Sequence, residues 1–473
     1  MIYNSTSWHV VVCGLLLTFA ASPYQSSADE ETVNLNAKIV SGFIQNHCQK
    51  CHGPKKQEGE LRLDTLGLKI GNSDEAQRWQ DVYLAIKGGE MPPEDAPQPP
   101  KAERTAVVAH LKVALKLATN RFGPGHQYKA EDIEIAAASA NESKVESFNR
   151  ETIYAAAKYL DDGAIAWTRS RKCITCHTNG TYMVERPSLT AYFGKPSEEV
   201  LQLFQRGVPA KAAVARKGRP AYPIIWKSLG LAQWDKHVTE ETSDLTERAL
   251  RSMLMQQRDD GSWLHYQGVR ELPHISTDFE LAVRAAWATT TAPGWLDKLE
   301  DEELLKRVER MKTYLREHKP RNDYELALKL QLANFMPDAV STEHRKEAIA
   351  MLRDKQQADG GWSTRSMSAI ENWAKWHPQK DKRNLDMLRA ETEAEKSASD
   401  PYMTGFAIVL LRESGVPKMD EQIQRGIVWL KTNQRQSGRW WMKSLYKETY
   451  HFSTYMGTAQ ALKALALCGE LMH

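Results

Sequence analysis

The 473-residue sequence has almost no excess of either charge. Lys plus Arg (63) against Asp plus Glu (60) leaves +3, which excludes a nucleic-acid binder working through a basic face. Alternating runs of β-branched residues are missing, which argues against a mostly β protein. Ala- and Leu-rich stretches take their place. With 41% hydrophobic and 26% charged residues, the chain can bury a core and is not disordered. Its length allows about two to four structural units.

Long apolar runs are also scarce. Val10 to Ala21 (VVVCGLLLTFAA) is a 12-residue run, too short to span a bilayer but suited to the core of a secretory signal peptide. Ser26-Ser27-Ala28 offers a small-residue cleavage site, although the segment before the run has no Lys or Arg, only His9 and the terminal amine. Cys13 follows Val12, which makes a poor lipoprotein site. The expectation is a signal peptide over 1–28, a periplasmic or otherwise exported protein, and no membrane span once the signal is removed.

Cysteine is rare, and its placement is informative. There are 6 Cys and 14 His. Cys13 leaves with the signal, and Cys468 stands alone on an apolar helix as a core thiol. The other four form Cys48-Gln-Lys-Cys51-His52 and Cys173-Ile-Thr-Cys176-His177. Both match C-x-x-C-H, the attachment pattern of c-type haem. Two thiols add to the haem vinyl groups, and the adjacent histidine turns its imidazole onto the iron. A zinc site would need four ligands from one neighbourhood, and a redox dithiol has no need of the histidine. The reading is two covalently attached haem c groups, with His52 and His177 as iron ligands.

Around the first motif, helices are expected over Val33–Asn46 and Glu103–Thr119. The loop between them carries Trp79 and the string Gly88-Gly-Glu-Met91-Pro-Pro. A thioether raises a haem potential toward electron-transfer values, so Met91 is either the sixth ligand or a core filler. The strings CQKCHGPKKQEGELRLDTL and GEMPPEDAPQP, with Trp79, resemble the cytochrome c domains of planctomycete bacteria over about residues 35–118. That resemblance implies a small class I-type cytochrome c fold with His52 and Met91 as axial ligands. The domain is expected over 29–122. A linker over 123–147, rich in Ala, Glu and Ser, shows no chemistry.

From Phe148 onward the chain reads as helix hairpins. Gln257-Arg-Asp-Asp-Gly261-Ser-Trp263, Gln356-Gln-Ala-Asp-Gly360-Gly-Trp362 and Gln434-Arg-Gln-Ser-Gly438-Arg-Trp440 share Q-x-x-x-G-x-W, each closing an amphipathic helix. The glycine ends the helix and the tryptophan packs over the turn. Inner helices open near Tyr182, Tyr222, Phe279, Tyr324, Tyr402 and Tyr455. Six hairpins at roughly 50-residue spacing predict an all-α chain whose second domain, 148–473, is an (α/α)6 toroid. These repeats resemble the squalene cyclase and prenyltransferase toroid superfamily. The cyclases of that superfamily use a D-x-D-D acid, which is absent here, so the resemblance implies the fold and argues against cyclisation.

The first hairpin carries the second haem motif at its turn. His177, His274 and His451 lie at near-equivalent positions before inner helices, and a closed ring makes the last hairpin a neighbour of the first. The sixth ligand of the second haem is therefore expected to be His451, then His274, then Met183. Asp278 and Asp323 are read as helix caps or as acid–base groups of the lumen. The segment Thr364–Asp400, with Trp373, Trp376 and His377, is read as a lid or a solvated excursion. Function follows as electron transfer by a dihaem cytochrome, or a haem oxidoreductase with redox chemistry in the toroid cavity. The alternative is a toroid that binds a lipid, glycan or protein. Expected partners are a redox protein or a quinol-linked chain, with a small apolar ligand possible in the cavity and no nucleic acid.

Overall fold

The computed structural model describes residues 32–57, 62–89, 91–93, 96–122, 127–210, 221–265, 277–373, 382–445 and 449–471. The expected signal peptide, His274, Trp376 and His377 lie outside these residues. The chain is all-α. Its helices are α1 (Ala37–His47), α2 (Ser73–Lys87), α3 (Lys101–Phe122), α4 (Arg150–Arg171), α5 (Asn179–Glu185), α6 (Thr190–Phe193), α7 (Glu198–Gln205), α8 (Tyr222–Trp234) and α9 (Asp244–Met255). They continue as α10 (Asp278–Thr291), α11 (Glu302–Glu317), α12 (Asp323–Phe335), α13 (Thr342–Asp354), α14 (Lys382–Arg389), α15 (Glu393–Ser397), α16 (Pro401–Glu413), α17 (Glu421–Asn433) and α18 (Phe452–Leu467). Two short antiparallel pairs join Val33–Asn34 to Lys69–Ile70 and Lys129–Ala130 to Ile133–Glu134.

Helices α1 to α3 enclose one core, built on Val40, Phe43, Trp79, Ile86 and Leu111. Two expectations fail here. Val33–Asn34 is a strand, and α1 starts only at Ala37, because the Asn36 side chain caps the Ile39 N–H. The stretch around Trp79, expected as a loop, is the 15-residue helix α2. Asn72 caps it by accepting from the Asp74 and Glu75 N–H groups, and Ala76, Trp79, Tyr83 and Ile86 recur at helical spacing on its buried face. Its many polar residues lie on the other side and mask that stripe.

A second core fills the remainder. Inner helices α5, α8, α10, α12, α16 and α18 each pack on the next, and α18 packs back on α5. Outer helices α4, α7, α9, α11, α13 and α17 back them. The ring closes as an (α/α)6 toroid.

The Gln-Gly-Trp motifs explain how neighbours lock together. Trp263, Trp362 and Trp440 are fully buried, and each indole N–H donates to a carbonyl ten residues back: Met253 (2.8 Å), Leu352 (2.6 Å) and Leu430 (2.7 Å). Each glutamine amide donates twice. Its first bond goes to its own turn, at Gly261 (3.1 Å), Gly360 (2.8 Å) or Gly438 (2.8 Å). Its second goes to the next outer helix or its start, at Arg307 (3.0 Å), Gln422 (2.8 Å) or, across the closure, Thr152 (2.8 Å). The Gln434–Thr152 bond thus joins the last hairpin to the first. The segment before α4 reinforces the same closure through the Glu142–Arg439 ion pair (2.7 Å) and the Val145 N–H to Gln434 carbonyl bond.

Candidate haem-attachment sites

At the first motif, α1 runs into Cys48, its C-terminal cap. The N–H groups of Cys51 and His52 both bond to the Cys48 carbonyl, at 3.1 and 2.9 Å. Both thiols and the imidazole therefore step around one tight turn. Gly53 closes it, since a Cβ there would lie 2.4 Å from the Gln49 carbonyl oxygen. Cys48 and His52 are buried and Cys51 is half-buried. Burial, and then Cys51, push the Cys48 thiol up to about 11, against the opposing pull of Arg104.

Arg104 of α3 ties the Met91 loop to this turn. Its guanidinium donates to the carbonyls of Ile86 (3.0 Å) and Met91 (3.1 Å) and to Gln98 (2.9 Å), while its charge acts on Cys48. Met91 is 37% exposed.

At the second motif, the turn between α4 and α5 is held at almost every step. The Cys173 carbonyl accepts from the Trp167 indole (3.2 Å) and the Asn179 amide (2.9 Å). The Thr175 N–H donates to Asn179 Oδ1 (2.9 Å), the Gly180 N–H to the Thr175 carbonyl (2.8 Å), and the Thr181 hydroxyl to the Cys176 carbonyl (2.7 Å). A Cβ on Gly180 would sit 2.2 Å from the Thr175 oxygen, so the turn admits only glycine there.

The His177 ring lies between the Trp167 ring (4.9 Å, 89°) and the Phe452 ring (3.7 Å, 32°). Its Nδ1 is 2.7 Å from Thr178 Oγ1, which is 2.7 Å from the Tyr128 hydroxyl. His451 lies at the start of α18 on the same rim, fully buried. Its ring stacks on Tyr128 (4.5 Å, 24°), and its Nδ1 meets the Tyr159 hydroxyl at 2.9 Å. Burial pushes both phenols well above their usual range, so Tyr128 and Tyr159 remain neutral. Met183 is used elsewhere: it is fully buried against α8, where a Cβ on Gly230 would lie 2.9 Å from its own Cβ.

Helix α5 links this turn to the lumen. Thr181, which bonds the Cys176 carbonyl, also lines a narrow central cavity with Glu185, Trp226, Arg284, Trp287, Tyr402 and Gln460. The open space suits about one or two water molecules. Two of its wall residues are paired behind it, Glu185 with Lys463 (2.9 Å) and Arg284 with Glu280 (3.0 Å). Burial pulls the Arg284 pKa down, but Glu280 overrides it and the net shift is upward. Asp278 and Asp323 do not reach this lumen. They sit in the first turns of helices capped by Thr277 and Asn322 and pair with Arg258 (3.0 Å) and Lys355 (2.8 Å). In the Thr364–Asp400 segment, Trp373 is fully buried.

The donor set fits a covalently attached haem at both turns: two thiols and one imidazole on a single turn, with neither cysteine pair joined by a disulfide. At the second turn, His177 Nδ1 is engaged by a hydroxyl, the outer contact that an Nε2-ligating histidine uses. Among the described residues, no group of three or more His, Cys, Asp or Glu side chains could hold a metal ion by itself.

Residues 48–95 match the family model of planctomycete cytochrome C. The match begins at the first attachment cysteine and runs through Met91; similarity to that family implies covalently bound haem c here and suggests electron transfer. No curated protein matches the chain. Among solved structures, the chain is similar to the type II terpene cyclase MstE from Scytonema in its apo form, at 12% identity and a TM-score of 0.38, covering 68% of this chain and 99% of that one. Among the described residues, no helix is long and apolar enough to cross a membrane.

The linker proved richer than its sequence. It supplies Tyr128 and Gln127, whose Oε1 accepts from the His451 N–H at 2.6 Å, and Glu142 at the ring closure. Thr178, adjacent to His177, could have been flagged from position alone; Tyr128 could not.

Proposed function

We propose that the protein is an exported dihaem c-type cytochrome that passes electrons between its two domains. Cys48 and Cys51 would hold the first haem, and His52 and Met91 would bind its iron. Cys173 and Cys176 hold the second, with His177 as one ligand and His451 as the candidate for the other. When bound, each haem supplies a one-electron iron centre. The electron enters or leaves through a separate redox partner.

The observation that carries this reading is the seam between the domains. Helix α2, whose buried face packs Trp79 into the cytochrome core, abuts the toroid beside the second attachment turn. The Gln77 amide donates to the Tyr450 hydroxyl (3.1 Å), and Asp81 accepts from Gln77 (3.0 Å), Tyr450 (3.4 Å) and Arg171 (2.6 Å). The Arg171 guanidinium lies 5.7 Å from the centre of the Trp167 ring. Trp167 bonds the Cys173 carbonyl and contacts His177. Tyr450 stands 5.2 Å, ring to ring, from Phe452, which covers His177. A second pair, Lys129–Asp74 (3.0 Å), lies on the same helix.

Asp81→Ala removes three of these contacts at once. The pair it breaks is partly exposed, so its effect on stability is about 1 kcal/mol or less. Both haem spectra should be unchanged, while transfer between the two haems, followed after rapid reduction of one, slows at least several-fold. An unchanged transfer rate would remove the seam from the route.

A further inference from the structure

We infer that Tyr128 is a positioning residue for the second haem site, acting through Thr178 to fix which nitrogen of His177 carries the proton. This rests on the reading of Cys173–His177 as a haem turn. The warrant is a three-member chain in which each link is short: His177 Nδ1 to Thr178 Oγ1 at 2.7 Å, and Thr178 Oγ1 to the Tyr128 hydroxyl at 2.7 Å. Thr178 and Tyr128 are both fully buried, so bulk water does not reach either link.

The proton on His177 can sit on either side of this chain. A hydroxyl has one proton to donate. If Tyr128 donates to Thr178 and Thr178 to Nδ1, then Nε2 carries the imidazole proton and cannot bind iron. If Nδ1–H donates to Thr178 and Thr178 to Tyr128, Nε2 presents its lone pair to the metal. Iron binding at Nε2 requires Nδ1–H to donate to Thr178, whose own hydroxyl proton then has the Tyr128 oxygen as its remaining partner. A buried acceptor behind Nδ1–H makes the imidazole a stronger donor, and a stronger donor favours the ferric state and lowers the potential.

Tyr128 also reaches His451. Its ring stacks on His451 at 4.5 Å, and Tyr159 holds His451 Nδ1 at 2.9 Å. Two functions of one side chain are thus separable. The hydroxyl acts on His177 and the ring packs against His451, so Tyr128→Phe removes the first and keeps the second.

The test uses the full haem-loaded chain and reads the midpoint potential of the second haem, together with the iron–His177 stretching frequency of the reduced haem in a His451→Ala background, where the second histidine cannot bind. Thr178→Val should raise that potential and lower the frequency. Tyr128→Phe should move both the same way by a smaller amount, and Thr178→Ser, which keeps the hydroxyl, should restore them. Because the links act in series, the double variant Thr178→Val/Tyr128→Phe should match Thr178→Val alone. Two attached haems with potential and frequency unmoved in both single variants overturn the relay and leave the dihaem reading standing. A chain that carries only the first haem overturns the dihaem reading, and the inference with it.

Discussion

Gly438→Ala should break the ring at its closure and destabilise the toroid by about 3 kcal/mol or more. Gly438 has φ +89, a conformation that costs any other residue roughly 1–2 kcal/mol. A Cβ there would also lie 2.4 Å from the backbone C of Ala155 and the N of Ala156 in α4. The first outer helix would have to move away, and the Gln434–Thr152 bond runs through the same contact. Gly415 is a built-in control. Its φ is +90, but nothing lies within 4 Å of its Cβ position, so Gly415→Ala reports the backbone cost alone. Denaturant unfolding of the two variants separates the terms. A loss at Gly438 no larger than that at Gly415 would mean that the closure contact contributes nothing.

The second large effect is expected at Met91. Its loop is fastened to α3 by Arg104, which also lies within electrostatic reach of Cys48. Met91→Ala should abolish any weak sulfur-to-iron absorption band. It should also lower the potential of the first haem by on the order of 0.1 V, a fraction of the roughly 0.8 V that axial ligands span. A spectrum and potential that stay put would take Met91 out of the coordination sphere.

How much of this was legible in the sequence depends on the range of the interaction. The Gln-Gly-Trp strings and the tyrosines opening the inner helices are local patterns, and they led to six hairpins and a closed toroid. The two C-x-x-C-H turns are likewise local, and their hydrogen bonds run mostly within a handful of residues. Helix α2 was missed because its exposed polar side hides a narrow buried stripe. The linker was missed for a different reason. Tyr128 owes its role to being laid between Thr178 and His451, 50 and more than 300 residues away in sequence, and no spacing rule encodes that. The same holds for Arg171 and Asp81, which meet only because α2 docks on the rim.

The central claim is that both attachment turns carry haem, and the count of covalent haems per mature chain tests it most directly. A pyridine haemochrome assay combined with intact-protein mass should give two haem c groups per chain, and one in the variant Cys173→Ala/Cys176→Ala. A native chain carrying a single haem, unchanged by that double substitution, would contradict the account.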